Sequence, residues 1–246
     1  IDRPRAGGTS LENYLDGLRF GFQRWPLAVH RLDQDTSGAL LAALDEKTAE
    51  RCRALFEEDA IHKRYLALVR GSLPPKGTWL DHLGTARAGG SVRTQVIKGR
   101  PPNAELRYEV KAHHAQERLS LLDIALITGK THQIRVQAAS RHLPLVGDDV
   151  YGSFEQNRVL KKTLHARRLF LHAFQLRLKH PASGQPLLII HTAIDEIKRN
   201  PWQLSPRKHA DIFKVDGLFD VQASGRRSAM TSGVGGLILS RFSLIS

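Results

Sequence analysis

The chain has 246 residues, 41% of them hydrophobic and 25% charged, the composition of an ordinary globular protein with length for one large domain or two small ones. Thirty-seven Lys and Arg against 24 Asp and Glu give a formal net charge of +13, a field that concentrates polyanions and favours nucleic acid over acidic small molecules as partner. Cys52 is the single cysteine, which excludes an intramolecular disulfide, and no stretch approaches the roughly 18 apolar residues of a membrane span. The opening Asp2, Arg3 and Arg5 read as neither signal peptide nor anchor, so a cytoplasmic compartment and no membrane partner are expected.

In chain order, Ala39 to Leu44 is a short apolar run suited to a strand buried on both faces. Asp45 is positioned to cap a helix from Glu46 to about Glu58, where Ala49, Cys52, Leu55 and Phe56 recur on one face. Tyr65 to Val69 reads as a strand closed by Gly71 and the Pro74-Pro75 turn. Gly84 to Asn103 is rich in Gly, Arg and Pro without periodicity, which predicts an exposed basic loop, a solvated one before an RNA contact.

Glu105 to Ala112 and Arg118 to Ile127 read as paired strands, the second apolar on nearly both faces. Thr131 is expected to cap a helix running to about Arg141. Leu169 to Leu178 and Leu187 to His191 give two more strands joined by a turn at Pro181-Ala182-Ser183-Gly184. From Pro201 onward periodicity fades and Ser224 to Gly236 has little to bury, so residues 201–246 are expected to form a poorly ordered extension of a domain over 1–200. The final apolar cluster, Leu237-Ile238-Leu239 with Phe242, is suited to docking as a strand or helix.

The stretch richest in chemistry is His30-Arg31-Leu32-Asp33-Gln34-Asp35-Thr36-Ser37-Gly38, a carboxylate beside two potential cations, followed by hydroxyls and a glycine. Taken alone, Asp33 fits a turn into Thr36-Ser37-Gly38, the commoner use of Asp before Ser and Gly. The stretch nevertheless coincides at seven specified positions with the H-R-L-D-x-x-T-S-G signature of the RluA-like RNA pseudouridine synthases, a chance match of about one in a billion starting points. Three further segments resemble the same family in the same order. They are Lys63-Arg64-Tyr65-Leu66-Ala67-Leu68-Val69-Arg70-Gly71, Gly129-Lys130-Thr131-His132-Gln133-Ile134-Arg135-Val136, and Pro144 followed by Leu145-Val146-Gly147-Asp148-Asp149-Val150-Tyr151-Gly152.

This resemblance, running from Asp2-Arg3-Pro4 to about Ile194, implies an α+β pseudouridine-synthase-like domain with a mostly antiparallel mixed sheet flanked by helices and loops. It implies an isomerase acting on structured RNA, ribosomal first and transfer second, with no cofactor and no metal. Asp33 takes the role of catalytic carboxylate, either attacking the anomeric carbon or removing the neighbouring sugar proton. Tyr65 takes that of the ring that stacks on the target base, and Arg135 that of the cation that pairs with the aspartate and keeps it ionised. Arg31 is assigned to displacing the base or holding a phosphate, with an ordinary salt bridge as the alternative. The segment from Leu145 to Gly152 reads as scaffold. Departures are Lys130 for arginine, Gln137 where histidine is common, and Arg5-Ala6-Gly7-Gly8 in the opening block, and they bear on target selection more than on catalysis.

Other chemistries fit less well. Gly129-Lys130-Thr131 resembles the end of a phosphate-binding loop, but Ile124 stands where that motif's first glycine belongs. The 12 histidines include no H-E-x-x-H and there are no paired cysteines, so zinc has little support. A non-catalytic RNA-binding or ribosome-assembly factor on the same scaffold is the alternative reading, and a nucleoside hydrolase requires a second acid beside Asp33.

Overall fold

A computed structural model describes residues 27–43, 45–88, 91–163, 168–190 and the backbone of a strand at Leu237–Phe242. The chain divides into two compact units. The first takes Ile1–His62, Gln175–His191 and Phe213–Ser246, the second Lys63–Phe174 and Thr192–Ile212.

The first described element of the first unit is a two-residue strand, β1 (Leu27–Ala28), paired antiparallel with the end of β2 (Ser37–Ala43). Every residue of β2 is buried, as its unbroken small and apolar sequence requires. Helix α1 (Glu46–Glu57) follows, and the predicted cap is in place: the Asp45 carboxylate accepts hydrogen bonds of 2.8 Å from both the amide and the hydroxyl of Thr48. Ala49 and Cys52 face inward, packing with Leu41, Ile61 and, from later in the chain, Leu176, Leu178, Leu187 and Ile189.

The second unit is built on a sheet in the order β3-β8-β7-β4, from β3 (His62–Arg70), β4 (Lys76–Asp81), β7 (Ala104–His114) and β8 (Leu119–Leu126), all antiparallel neighbours. An irregularity between Val110 and Ala112 shifts the β7–β8 register. Alternation along β3 divides the core. Ala67 and Val69 join Leu106, Leu122, Ile124 and Ile134 on one face, while Leu66 and Leu68 join Leu119, Leu121, Val146 and Leu160 on the other. Each of the Leu, Ile and Val side chains contributes about 1.5–3 kcal/mol by leaving water.

Between β4 and β7 the sequence-based expectation of a loop is corrected. Two strands, β5 (Leu83–Ala88) and β6 (Ser91–Val96), form a separate antiparallel hairpin, with Leu83 opposite Val96 and Ala88 opposite Ser91. Periodicity was absent because few of its residues reach a core: Leu83 and Thr94 are buried, whereas Thr85, Arg87, Val92, Arg93 and Gln95 are exposed. The signal that marks it is Gly89-Gly90 between two short runs, a two-residue hairpin connection.

Helix α2 (Gln133–Ser140) is almost wholly buried, and the expected Thr131 cap is also corrected. The N-cap residue is His132, in the left-handed region at φ 55°, and it makes no side-chain cap. Gln133 supplies the local satisfaction instead. Its Oε1 accepts from the Thr128 hydroxyl at 2.8 Å and the Lys130 amide at 3.0 Å, and its Nε2 donates to the Glu105 carbonyl at 3.0 Å. A further helix, α3 (Phe154–Thr163), buries only Leu160 and had no counterpart in the sequence reading.

The predicted late hairpin is present as β9 (Leu171–Lys179), whose Gln175–Lys179 segment pairs with β10 (Pro186–Ile190) across a turn ending at Gly184, φ 70°. Leu237–Phe242 forms β11, antiparallel to β2 from Gly38 to Ala43. The rest of the expected C-terminal extension lies outside the described residues, as does the opening Asp2-Arg3-Pro4 block. Among the described residues, no helix is long and apolar enough to cross a membrane.

Candidate active site

In the first unit the segment carrying Arg31 and Asp33 is held from both ends. At its start His30 stacks on Phe56 of α1, with ring centroids 4.4 Å apart, and its Nε2 accepts a 2.9 Å hydrogen bond from the Leu41 amide in β2. The imidazole thus brackets the start of the segment between α1 and β2. At its end the Thr36 amide donates 3.0 Å to the Asp33 carbonyl, closing a turn through Asp35 in the left-handed region at φ 69°. Thr36, Ser37 and Gly38 are buried, Asp33 is half-buried and Arg31 is exposed. The turn thus leaves its carboxylate-bearing residue at the boundary between core and solvent. The Thr36 hydroxyl is buried without a hydrogen-bond partner among the described residues.

In the second unit Tyr65 occupies the fourth position of β3, opposite Ile124 of β8, with its half-buried ring against the cluster of Ala67, Val69 and Ile124. Its neighbour Arg64 is anchored by a fork to Asp123, a carboxylate on β8 that is 8% exposed, and lies over the Phe174 ring at 5.3 Å. These contacts fix the start of β3.

Arg135 lies in the first half of α2, and its Nε and Nη2 each donate at 2.8 Å to the two carboxylate oxygens of Asp148, a bidentate pair with both side chains 4% exposed or less. Oδ1 of Asp148 also accepts from the amides of Val150 and Tyr151, both at 2.9 Å. Burial pushes the Asp148 carboxyl up, but the Arg135 hydrogen bonds and charge and the two amides outweigh it, and its pKa lies below the ordinary carboxylate value. Gly147 immediately before it, at φ 75°, packs so closely on the backbone that a Cβ would overlap the Arg168 carbonyl oxygen.

The family resemblance pairs Arg135 with Asp33 and implies scaffold for the segment around Asp148. The described geometry gives Arg135 Asp148 as a partner, held by that scaffold. A glycine-aspartate pair ahead of two amides was the available signal, since a carboxylate after a tight turn accepts from the following N–H groups. Tyr65 and Arg135 fall in one unit, Arg31 and Asp33 in the other.

Residues 15–140 match the sequence profile described as RNA pseudouridylate synthase, a stretch containing Arg31, Asp33, Tyr65 and Arg135. An uncharacterized RNA pseudouridine synthase of Zymomonas mobilis is 38% identical over 183 residues, covering 69% of this chain and 81% of the relative. The ribosomal large subunit pseudouridine synthase C of Yersinia pestis is 37% identical over 199 residues, 74% of this chain and 58% of that protein. The tRNA pseudouridine synthase C of Salmonella typhimurium is 35% identical over 176 residues, 68% of this chain and 67% of that protein. Among solved structures, human RNA Pseudouridylate Synthase Domain Containing 1 superposes with a TM-score of 0.60 at 28% identity, over 72% of each chain.

Proposed function

The chain belongs to the RNA pseudouridylate synthase family, enzymes that isomerise uridine to pseudouridine in RNA, and we propose that its substrates are uridines of structured RNA, ribosomal first and transfer second. The observation that carries the reading is Asp33 in His30-Arg31-Leu32-Asp33, inside the family match and set at a half-buried turn. The relatives named for ribosomal and for transfer RNA support both substrate classes.

The reaction breaks the bond from ribose C1′ to uracil N1 and forms one from C1′ to C5; the C5 hydrogen leaves as a proton and N1 gains one, so no oxidant is needed. A paired uridine hides that bond, and extruding it costs a few kcal/mol of stacking and pairing. Tyr65 offsets part of this by stacking on the target base, worth about 1–3 kcal/mol. Arg31, exposed beside the turn, enters the vacated stack or holds a phosphate. Asp33 acts as an ionised carboxylate at the ribose, adding to C1′ or taking the neighbouring sugar proton, with Arg135 as the cation that favours its charged form. The detached uracil must stay shielded from water until it has turned, or the outcome is hydrolysis.

Incubating the protein with total RNA from cells lacking it, and mapping pseudouridine by carbodiimide-dependent reverse-transcription stops, tests the reading. New stops in ribosomal RNA are expected; stops in transfer RNA alone would reverse the substrate order, and bound RNA with no new stop anywhere would favour the non-catalytic factor.

A further inference from the structure

Arg135 touches more than its aspartate. Its guanidinium carbon lies over the ring of Tyr151 at 5.3 Å from the centroid, so the cation is gripped by Asp148 at its edge and by an aromatic face at its plane. Tyr151 is in turn held at its tip. Nδ1 of His132 lies 2.9 Å from the phenol oxygen, with the two rings edge-to-face at 77° and 5.5 Å. The ring body packs among Leu83, Val96, Ala104 and Val136.

His132 makes that contact from an unusual backbone. It sits at φ 55° and ψ 22°, immediately before α2, without capping the helix. A residue with a Cβ is held there when its surroundings over-determine it, and such residues cluster where a site needs a fixed geometry. The His132 carbonyl accepts the first helical hydrogen bond, from the Val136 amide at 2.9 Å, while its side chain makes no cap and is directed at Tyr151 instead.

We propose that Tyr151, oriented by His132, is a positioning residue for Arg135: its ring face fixes the plane of the guanidinium while Asp148 fixes its direction. The inference deepens the reading of Arg135 as the cation of the reaction and rests on it. Misplacing a catalytic group by about an ångström costs on the order of a hundredfold in rate, so a residue that never touches RNA still governs turnover.

Tyr151→Phe keeps the face and loses the tip contact, whereas Tyr151→Leu loses both. The expected result is a kcat within about threefold of wild type for Tyr151→Phe and at least about tenfold lower for Tyr151→Leu, with KM for RNA unchanged in each. A folded Tyr151→Leu protein with wild-type kcat, or one losing KM and kcat alike, would overturn the proposal. If Tyr151→Leu fails to fold, the cycle of His132→Ala and Tyr151→Phe decides: both remove the Nδ1–phenol contact, so the double variant should lose no more kcat than the more damaging single, and fully additive losses would overturn it. A wild-type protein that forms no pseudouridine defeats the proposed function separately. In that case the Arg135 Nε–H resonance still reads the positioning: it moves downfield when the shielding ring is lost in Tyr151→Leu and stays in place in Tyr151→Phe, and an unmoved resonance in Tyr151→Leu refutes it.

Discussion

Arg135 and Asp148 hold each other by two hydrogen bonds of 2.8 Å, Nε to Oδ2 and Nη2 to Oδ1, with side chains 4% and 1% exposed. Taking two charges out of water is costly, and a buried pair is tolerated only when geometry and extra hydrogen bonds compensate, as the amides of Val150 and Tyr151 do here. The pair therefore serves to fix the Arg135 guanidinium more than to raise stability. Removing one partner exposes the asymmetry.

Asp148→Ala leaves a buried guanidinium without its fork, and the expected loss in unfolding free energy is about 3–5 kcal/mol by urea denaturation. The solvent-exposed pair of Glu46 and Arg53, side chains 58% and 42% exposed, provides the contrast, since Glu46→Ala should cost no more than about 1 kcal/mol. Equal losses at both pairs would mean that burial does not govern the Asp148 contact.

The same carboxylate predicts a pH dependence. Its pKa in the folded protein lies below the ordinary value, burial being outweighed by Arg135 and the two amides, so the unfolded chain binds its proton first. Its contribution to stability is complete above the unfolded pKa of about 4 and is lost as pH falls through the lower, folded value. Thermal unfolding from pH 6 downward should show wild type losing stability below about pH 4 more steeply than Asp148→Asn. Parallel curves would place the acid sensitivity elsewhere.

Cys52 is fully buried on α1, and burial pushes its thiol up to about 11. The thiolate is the reactive species, so a disulfide reagent such as DTNB at pH 8 should leave the native protein unmodified for as long as it stays folded and titrate one thiol in denaturant. Rapid modification of the native state would contradict the packing of α1.

The β5–β6 hairpin carries Arg87 and Arg93, both exposed, with Lys98 and Arg100 exposed just beyond it. If this basic projection contacts phosphates, Arg87→Ala and Arg93→Ala should each weaken RNA binding and lower the slope of log K against log salt by about one, with no change in thermal stability. An unchanged salt slope in both variants would remove the hairpin from the RNA interface.

How far the molecule was legible beforehand varied with how much each element buries. The strand at Ser37–Ala43 and the Asp45-capped helix announced themselves because one is wholly buried and the other places Ala49 and Cys52 on one face. The β5–β6 hairpin did not, since among its described side chains only Leu83 and Thr94 are buried, and α3 was missed because Leu160 alone among its residues is buried. The cap at Thr131 failed for a different reason: a left-handed His132 starts α2, and propensity favours no such choice. The family was recognisable from the segments that carry Asp33, Tyr65 and Arg135, because motifs preserve residue order. The Arg135–Asp148 fork was not, because 13 residues and an intervening loop separate the two, and only the folded backbone decides which charge meets which.

The central claim concerns Asp33, and the direct measurement is release of tritium from RNA labelled at uridine C5, under single-turnover conditions, for wild type and for Asp33→Ala and Asp33→Asn. The account predicts release by wild type, none detectable by either variant, and RNA affinity and thermal stability unchanged among the three. Release at the wild-type rate by Asp33→Ala would contradict it.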